Sequence, residues 1–568
     1  MSKQAFFACD SIAQSVLACG SHFETFFSAC GTTSIFAASK SDPDTYTFDE
    51  AMANAHRENW IVAAQTEIKQ LEEHNAWIEV PSSEANGHKI VPSTWVFKLK
   101  RKPDGEIKKW KARLCLRGAL MIGVTDTYAP VVAFSTVRLF LILSLLSSWG
   151  TCSIDFSNAF IQAKREKPIY IPVPRGFHAK QEGSVLKLLR SLYGAKDAPR
   201  LWIEHLFKAL NAFGLLQSQL DPCLWMSKDL FLIIFVDDCG ICFKTKAALM
   251  KLYAFLRKEG FTFTTESTFE EYLGIKYVRL NDGSIHLLQT GLIQKILKAT
   301  NLVNSHPNKQ PAQQKTLGID PDGERFSETW NYASIVGMLL YLANNTRPDI
   351  AFAVSQVARF THNPKQSHGV AVKSIVRYLK GTQNQGTIVQ PATSFTLTCF
   401  CDADFAGLYR SDPDSSISSA KSRSGFLISV SGCPLIWRSQ LQSTIALSTA
   451  ESEYYSLSIA MRTLLPIRLL LLEIIENVSF PSMMTLNSST LRATIYEDNT
   501  SALTLATDQQ ITSRTRHYHV RWHHFWESIR EGHAIVEYVT TDQQDSDYLT
   551  KVNTLLIFAK NGLRVQGW

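Results

Sequence analysis

Three carboxylates in the first half of the chain have the spacing of a metal-binding centre. Asp237 and Asp238 follow an apolar run at residues 232–236 and precede a second apolar run, which predicts a β-hairpin with both acids at its tip. Asp155 ends another apolar segment, residues 151–155. Acids from two strand ends could hold Mg²⁺ or Mn²⁺ ions for in-line phosphoryl transfer, because hard divalent ions prefer oxygen ligands. For the Asp-Asp pair taken alone, a solvated turn without a metal is the alternative.

A second group of acids follows in the last third of the chain. Asp402 and Asp498 each come directly after a predicted strand, and Glu451 lies in the predicted first turn of a long helix. Asp547 lies near the end of the chain. Acids at strand ends and at a helix start fit a two-metal phosphodiester hydrolase. Two alternatives stay open: Glu451 could instead complement the helix dipole, and Asp404 competes with Asp402 for the first position.

Composition and charge describe a globular chain of several domains. The 568 residues are 45% hydrophobic and 19% charged, which excludes an intrinsically disordered protein. This length predicts roughly three or four domains. The net charge of +7 is compatible with a polyanionic partner without requiring one. The 11 cysteines are irregularly spaced, which favours a reducing intracellular compartment over a disulfide framework.

The pattern of predicted elements changes three times along the chain. Residues 1–45 show no clear periodicity, and we expect a poorly ordered leader or remnant there. Strands and helices alternate from residue 46 to about 290, residues 291–395 are mostly helical, and a strand-rich pattern begins at 396. No apolar run approaches the roughly 20 residues of a membrane span, so no membrane partner is expected.

An ordered series of motifs over residues 46–568 resembles the reverse transcriptase and RNase H parts of copia-type (Pseudoviridae) retrotransposon Pol polyproteins. The most specific segments are Asp155-Phe-Ser-Asn-Ala-Phe160, Phe235-Val-Asp-Asp238, Asp402-Ala-Asp-Phe-Ala-Gly407 and Ser448-Thr-Ala-Glu451. Further matches occur at residues 60–67, 95–98, 111–114, 169–177, 191–200, 272–275, 332–350, 498–499 and 547–551. Any one segment is weak evidence, whereas the whole series in order is specific.

The resemblance implies an α+β right-hand polymerase (fingers, palm and thumb) followed by an α/β RNase H-like domain. Fingers and palm would occupy residues 46–290, a thumb or connection residues 291–395, and the RNase H domain residues 396–568. The implied activities are RNA-directed DNA polymerase and ribonuclease H, with an RNA template, a DNA primer, an RNA–DNA hybrid and dNTPs as partners. The implied location is intracellular, in cytoplasmic virus-like particles with the nucleus as a further site. The oligomeric state stays open.

The resemblance also assigns roles to individual residues. The ligands of the catalytic Mg²⁺ or Mn²⁺ ions would be Asp155, Asp237, Asp238, Asp402, Glu451, Asp498 and Asp547. Lys111 and Arg113 would bind the incoming triphosphate, and Phe160 would exclude a 2′-hydroxyl by crowding the nucleotide sugar. The contacts to hybrid phosphates would come from Arg514, Arg516, His517 and Arg521.

Plainer interpretations of these residues remain. Lys111 and Arg113 could belong to a solvated basic strand, and Phe160 could be a core aromatic residue. His519 and His523 are four residues apart and could suggest a metal site, although no acid or cysteine completes it.

Departures from the family pattern leave two alternative functions open. The segment 118–128 is shorter than usual, and Asp197 stands where the family has Gln, which would place a negative charge near the nucleotide. These departures favour a decayed transposon remnant that folds and binds nucleic acid without catalysis. The irregular leader is the one observation that would fit a structural or interaction protein built on the same scaffold.

Overall fold

A computed structural model of the protein describes residues 44–101, 107–312, 317–409, 417–483, 485–509 and 520–568. These residues form five β-sheets. The predicted leader lies almost wholly outside them, so its character stays a prediction. In the described part, no helix is both long and apolar enough to cross a membrane.

The first region combines small sheets with two helices. Its elements are β1 (Thr45–Tyr46), α1 (Phe48–Ala53), α2 (Arg57–Glu73), β2 (Trp77–Pro81), β3 (Ser93–Arg101) and β4 (Ile107–Leu116). Helix α2 buries Trp60, Ala64 and Ile68 on one face, because residues four apart lie above one another on a helix. Strands β3 and β4 form an antiparallel hairpin with β1 at its edge. This hairpin carries the basic residues of the predicted fingers.

The second region contains the central sheet. Its elements are α3 (Phe134–Leu146), β5 (Gly150–Phe156), α4 (Ala159–Gln162), β6 (Lys164–Ile171), β7 (Ser184–Arg190), α5 (Ala198–Phe213), β8 (Leu216–Gln217), β9 (Leu224–Met226), β10 (Leu230–Phe235), β11 (Asp238–Phe243), α6 (Lys246–Lys258) and β12 (Phe263–Glu266). Six strands pair in the order β12-β5-β11-β10-β9-β8, whereas β6 and β7 join β2. The predicted hairpin of two apolar strands is confirmed as β10 and β11.

The third region is mainly helical, as its sequence predicts. Its elements are β13 (Glu271–Tyr272), β14 (Ile275–Arg279), β15 (Ile285–Leu288), α7 (Thr290–Ala299), α8 (Tyr332–Asn345), α9 (Ala351–Ala358), α10 (Gln366–Gly381) and β16 (Thr387–Val389). A buried ion pair joins Arg347 and Asp349 at 2.7 Å between α8 and α9. Strand β15 pairs with β16, so one sheet extends across residue 290, where the sequence pattern changes. The domain limits therefore stay a prediction.

The last region has the topology of an RNase H-like fold. Its elements are β17 (Leu397–Asp404), β18 (Arg423–Val430), β19 (Cys433–Leu441), α11 (Thr449–Asn477), β20 (Ala493–Glu497), α12 (Thr500–Asp508), α13 (Trp526–Arg530), β21 (Ala534–Tyr538) and α14 (Leu555–Gln566). The strand order is β19-β18-β17-β20-β21, with the first three strands antiparallel and the last two parallel to β17. The predicted fold class, a palm-type α+β region followed by an RNase H-like sheet, is confirmed.

The central sheet and the RNase H-like sheet share one continuous apolar core. Arg138 on α3 is fully buried and donates hydrogen bonds to the carbonyl oxygens of Leu435 at 2.6 Å and Asn345 at 3.1 Å. Glu473 on α11 accepts a hydrogen bond from the Ser218 hydroxyl at 2.6 Å. Because buried polar groups are costly to leave unpaired, these contacts fix the three regions against one another.

Candidate active sites

The first acidic centre lies at one edge of the central sheet. Asp155 near the end of β5 is the direct neighbour of Asp238 at the start of β11. Asp237 occupies the two-residue turn between β10 and β11, and its carbonyl oxygen accepts the Phe156 N–H at 2.9 Å. Strand pairing thus sets Asp155 beside Asp238, and the turn adds Asp237 next to them.

The turn that carries Asp237 has an unusual backbone. Val236 adopts a φ of +56°, a left-handed conformation that is uncommon for a β-branched residue. The buried indole of Trp202 donates a hydrogen bond to the Val236 carbonyl oxygen at 2.6 Å. Backbone strain of this kind persists only where surrounding contacts impose it, and it recurs at functional sites.

Burial and mutual repulsion act on the acids of this centre. Burial, followed by the charges of Asp237 and Asp155, raises the pKa of Asp238 to about 7. Burial also raises the pKa of Asp237, with Asp155 adding to the shift. Close carboxylates disfavour one another's charged form unless a cation compensates them. An all-oxygen donor set of this kind fits Mg²⁺ or Mn²⁺.

The predicted triphosphate ligands lie within electrostatic range of these acids. Burial raises the pKa of Asp237, and the charges of Arg113 and Lys111 on β4 partly oppose this rise. Burial, followed by the charge of Arg113, lowers the pKa of Lys111 to about 8. The Nε atom of Arg113 is buried, and no hydrogen-bond partner for it occurs among the described residues. A partly desolvated cationic pair with spare donors is suited to an anionic ligand.

Phe160 lies between the fingers and the central sheet. It belongs to the short helix α4, is half-buried, and meets Tyr193 edge to face with ring centroids 5.0 Å apart. It packs against the apolar cores of both regions. This position is compatible with the predicted contact to a nucleotide sugar, while its packing accounts for the core interpretation as well.

The expectation that Asp197 places a negative charge beside the nucleotide is wrong. Its carboxylate accepts two hydrogen bonds from the Arg165 guanidinium, at 2.9 and 2.7 Å. The side chains of Asp197 and Arg165 are only 10% and 3% exposed. A buried bidentate pair neutralises the acid. Arg165 is remote in sequence, so this pairing gave no local signal.

The second acidic centre lies where β17 and β20 run parallel. Carboxylate oxygens of Asp402 on β17, Asp498 after β20 and Glu453 on α11 all lie within 4.8 Å of one another. In the part of the chain that the structure describes, this is the one group of His, Cys, Asp or Glu side chains with such spacing. Asp402 and Asp498 were predicted, whereas Glu453 was not.

The structure places Glu453, and not the predicted Glu451, in this group. The Glu451 carboxylate accepts the N–H of Leu447 at 2.6 Å, just before the helix that Ser448 caps. Residues two apart on a helix point about 200° away from each other, so both glutamates cannot face the same site. Residues 451–461 are all buried, so helical periodicity in the sequence gave no signal for choosing between the two glutamates.

Asp547 and Asp404 lie beside the group without being part of it. Lys551 forms an ion pair with Asp547, and Thr550 donates a hydrogen bond to Asp402. Burial raises the pKa of Asp402 to about 6, against the opposing charge of Lys551, and Asp547 adds to the rise. Asp547 is therefore within electrostatic range of Asp402, which leaves its predicted role as a metal ligand open.

Glu497 is a further buried acid that sequence reasoning missed. It is fully buried one residue before Asp498, and it accepts hydrogen bonds from the Cys401 thiol at 3.3 Å and the Asn499 N–H at 3.1 Å. Burial raises its pKa to about 8, with Asp498 and Asp402 contributing. Burial, followed by the charge of Glu497, raises the pKa of Glu453 well above its usual range.

The predicted hybrid-binding segment lies mostly outside the described residues. Arg514, Arg516 and His517 lie outside the described residues, and of Arg521 only the backbone is described, so their roles stay a prediction. The His523 Nδ1 atom lies 2.7 Å from the Tyr454 hydroxyl oxygen, and its ring stacks on Trp526. His523 thus belongs to an aromatic cluster.

The chain joins a palm-type sheet to an RNase H-like sheet, and each sheet carries acids at its strand ends. This combination defines the fold class, a polymerase-type palm followed by an RNase H-like domain. The family described as "Reverse transcriptase (RNA-dependent DNA polymerase)" matches residues 75–314. Over 90% of its length the chain is similar to copia-type Pol polyproteins of plant retrotransposons. It is 30% identical over 529 residues to the Pol polyprotein of transposon TNT 1-94 from Nicotiana tabacum, covering 90% of this chain and 38% of that protein.

The chain is also similar to other known proteins. The Pol polyprotein of transposon RE1 from Arabidopsis thaliana is 29% identical over 522 residues, covering 90% of this chain and 34% of that protein. The chain therefore spans little more than a third of these relatives. A solved foamy viral protease-reverse transcriptase bound to double-stranded DNA is 15% identical, with a TM-score of 0.44, and covers 84% of this chain and 69% of that one. The fold assignment rests on the strand order of the chain itself.

The buried acids predict a pH-dependent stability for the metal-free protein. Raised pKa values favour the neutral carboxyls in the folded state, so their stabilising effect is complete below the ordinary values of 3.8 for Asp402 and 4.5 for Glu497. It is lost as the pH rises through about 6 for Asp402 and about 8 for Glu497. We therefore expect the melting temperature in EDTA to fall between about pH 4 and about pH 8 and to level off above that, measured by differential scanning fluorimetry.

The Glu497→Gln variant isolates this effect, because its side chain cannot titrate. We expect a smaller fall in melting temperature than for the wild type, whereas Glu72→Gln, at an exposed position, serves as the matched control. Equal pH dependence in the wild type and Glu497→Gln would contradict the assignment of Glu497 as a buried titrating acid.

Proposed function

We propose that the chain is an RNA-directed DNA polymerase with ribonuclease H activity, dependent on Mg²⁺ or Mn²⁺. The observation that carries the proposal is the meeting of Asp155, Asp237 and Asp238 at one sheet edge, within electrostatic range of the cations on β4. The substrates are an RNA template with a DNA primer, dNTPs, and the RNA–DNA hybrid that synthesis produces. The similarity to copia-type Pol polyproteins and the match to the reverse transcriptase family over residues 75–314 support this proposal.

The residues of the two centres divide the chemistry between them. Divalent ions bound by the acids would activate a primer 3′-hydroxyl at the first centre and a water molecule at the second. Lys111 and Arg113 bind and orient the triphosphate, which positions its reacting phosphorus for in-line attack. Phe160 packs against the sugar. At the second centre, Asp402, Glu453 and Asp498 orient the scissile phosphate of the RNA strand, with Asp547 completing the set.

Primer extension tests the polymerase proposal. On poly(rA)/oligo(dT) with Mg²⁺, we expect Asp237→Asn to slow dTTP incorporation by about 100-fold or more, because the loss of a metal ligand removes several kcal/mol of transition-state stabilisation. Asp322→Asn, at an exposed loop position, is the matched control and should extend at the wild-type rate. If wild type and Asp237→Asn were equally inactive, the chain would be a remnant that folds without polymerising.

Hybrid cleavage tests the nuclease proposal and separates the two glutamates of α11. We expect Glu453→Gln and Asp498→Asn to reduce cleavage of a labelled RNA–DNA hybrid by about 100-fold or more, since both carboxylates belong to the cluster. Glu451→Gln keeps an acceptor for the Leu447 N–H and should cut within a few fold of the wild-type rate. Cleavage that survives Asp498→Asn, or that is lost in Glu451→Gln and kept in Glu453→Gln, would overturn the assignment.

A further inference from the structure

Tyr193 lies on a segment that is fixed by the backbone. Its carbonyl oxygen accepts the Leu116 N–H at 2.7 Å, which ties the segment before α5 to the end of β4. Gly194 has a φ of +83°, and a Cβ atom there would lie 2.3 Å from the Leu116 carbonyl oxygen. A Cβ atom at Gly118 would lie 2.1 Å from the Gly194 carbonyl oxygen. Only glycine permits this approach, so the Cα of Tyr193 has little freedom.

The Tyr193 ring touches both side chains that are predicted to meet the nucleotide. The Arg113 guanidinium carbon lies over the ring, 5.0 Å from its centroid. The Phe160 ring meets it at an interplanar angle of 68° with centroids 5.0 Å apart. Cations favour the face of an aromatic ring, and aromatic pairs favour edge-to-face geometry. One ring therefore orients an arginine from strand β4 and a phenylalanine from helix α4.

The surroundings of Tyr193 place it next to the first acidic centre. Burial raises the pKa of the Tyr193 hydroxyl, the charge of Arg113 lowers it, and the charge of Asp237 raises it. The ring thus lies within electrostatic range of both a candidate triphosphate ligand and a candidate metal ligand. The ring contact is one constraint on this guanidinium, whose Nε atom has no hydrogen-bond partner among the described residues, and Glu67 is a buried acid within electrostatic range of it.

We propose that Tyr193 is a positioning residue that sets Arg113 and Phe160 together, and thereby governs the selection of dNTPs over rNTPs. The inference rests on the proposed polymerase function. Phe160 can exclude a 2′-hydroxyl only if its ring is held at a fixed height above the sugar. The edge-to-face contact with Tyr193 holds the Phe160 ring in place. The contact between Tyr193 and the Arg113 guanidinium fixes the position of the triphosphate relative to the Phe160 ring. Tyr193 forms no bond with the substrate and exchanges no proton in this role.

Single-nucleotide incorporation on poly(rA)/oligo(dT) with dTTP or UTP tests the proposal. Tyr193→Phe keeps the ring and should retain the wild-type ratio of kcat/KM for the two nucleotides. Tyr193→Leu removes the ring, and we expect that ratio to fall by about tenfold or more, since misplacing a group by about 1 Å can cost about 100-fold. The KM for dTTP should rise more than kcat falls, because the Arg113 contact to the triphosphate is loosened.

Additional variants separate positioning from misfolding. Tyr193→Met fills a similar apolar volume without a ring face, and it should also lose selectivity while keeping its melting temperature. Tyr538→Leu, an exposed tyrosine of the RNase H-like sheet that is 53% exposed, is the matched control and should behave as wild type. The double mutant Tyr193→Leu/Phe160→Ala should discriminate between dTTP and UTP about as poorly as Phe160→Ala alone, since both substitutions remove the same contact.

Each outcome of these assays decides a different question. Wild-type selectivity in a folded Tyr193→Leu or Tyr193→Met variant would overturn the role of Tyr193 and leave the polymerase proposal intact. Loss of selectivity in Tyr193→Phe would also overturn it, because the ring contacts are preserved in that variant. Absence of dTTP incorporation by the wild type would overturn the polymerase proposal on which the inference rests.

Discussion

Repulsion between buried carboxylates is the constraint on which the rest of this structure depends. Asp402, Glu453 and Asp498 lie within 4.8 Å of one another, and Glu497 is buried beside them. In a low-dielectric interior such a group is stable only when protons or cations neutralise it. The raised pKa values indicate neutralisation by protons in the metal-free protein, and divalent ions with oxygen ligands are the alternative. The free energy of folding must therefore outweigh the repulsion between these carboxylates.

Both centres meet this demand by attaching their acids to paired strands. In the central sheet, backbone pairing sets Asp155 beside Asp238, and the strained Val236 turn adds Asp237. In the RNase H-like sheet, parallel neighbours bring Asp402 and Asp498 to one edge while a long buried helix delivers the third acid. The shared core between the two sheets, with Arg138 at its junction, keeps the two centres in one rigid frame.

How much the sequence could predict depended on the range of each interaction. Apolar runs and turns sufficed for the β10–β11 hairpin and its acids, because strand pairing is encoded locally. The exchange of Glu451 for Glu453 could not be predicted from helical periodicity, because residues 451–461 are all buried. The neutralisation of Asp197 by Arg165 could not be predicted either, since 32 residues separate the partners. The burial of Glu497 could have been predicted from strand alternation, because Ala493, Ile495 and Glu497 share one face of the strand.

The two separate sets of acids are proposed to bind divalent ions. Anomalous diffraction at the manganese edge, from crystals of the protein soaked in Mn²⁺, tests this binding. We expect anomalous peaks at the carboxylates of Asp155, Asp237 and Asp238, and at those of Asp402, Glu453 and Asp498. Peaks at Glu451 without Glu453, or no peak at either centre in a crystal that binds Mn²⁺ elsewhere, would contradict it.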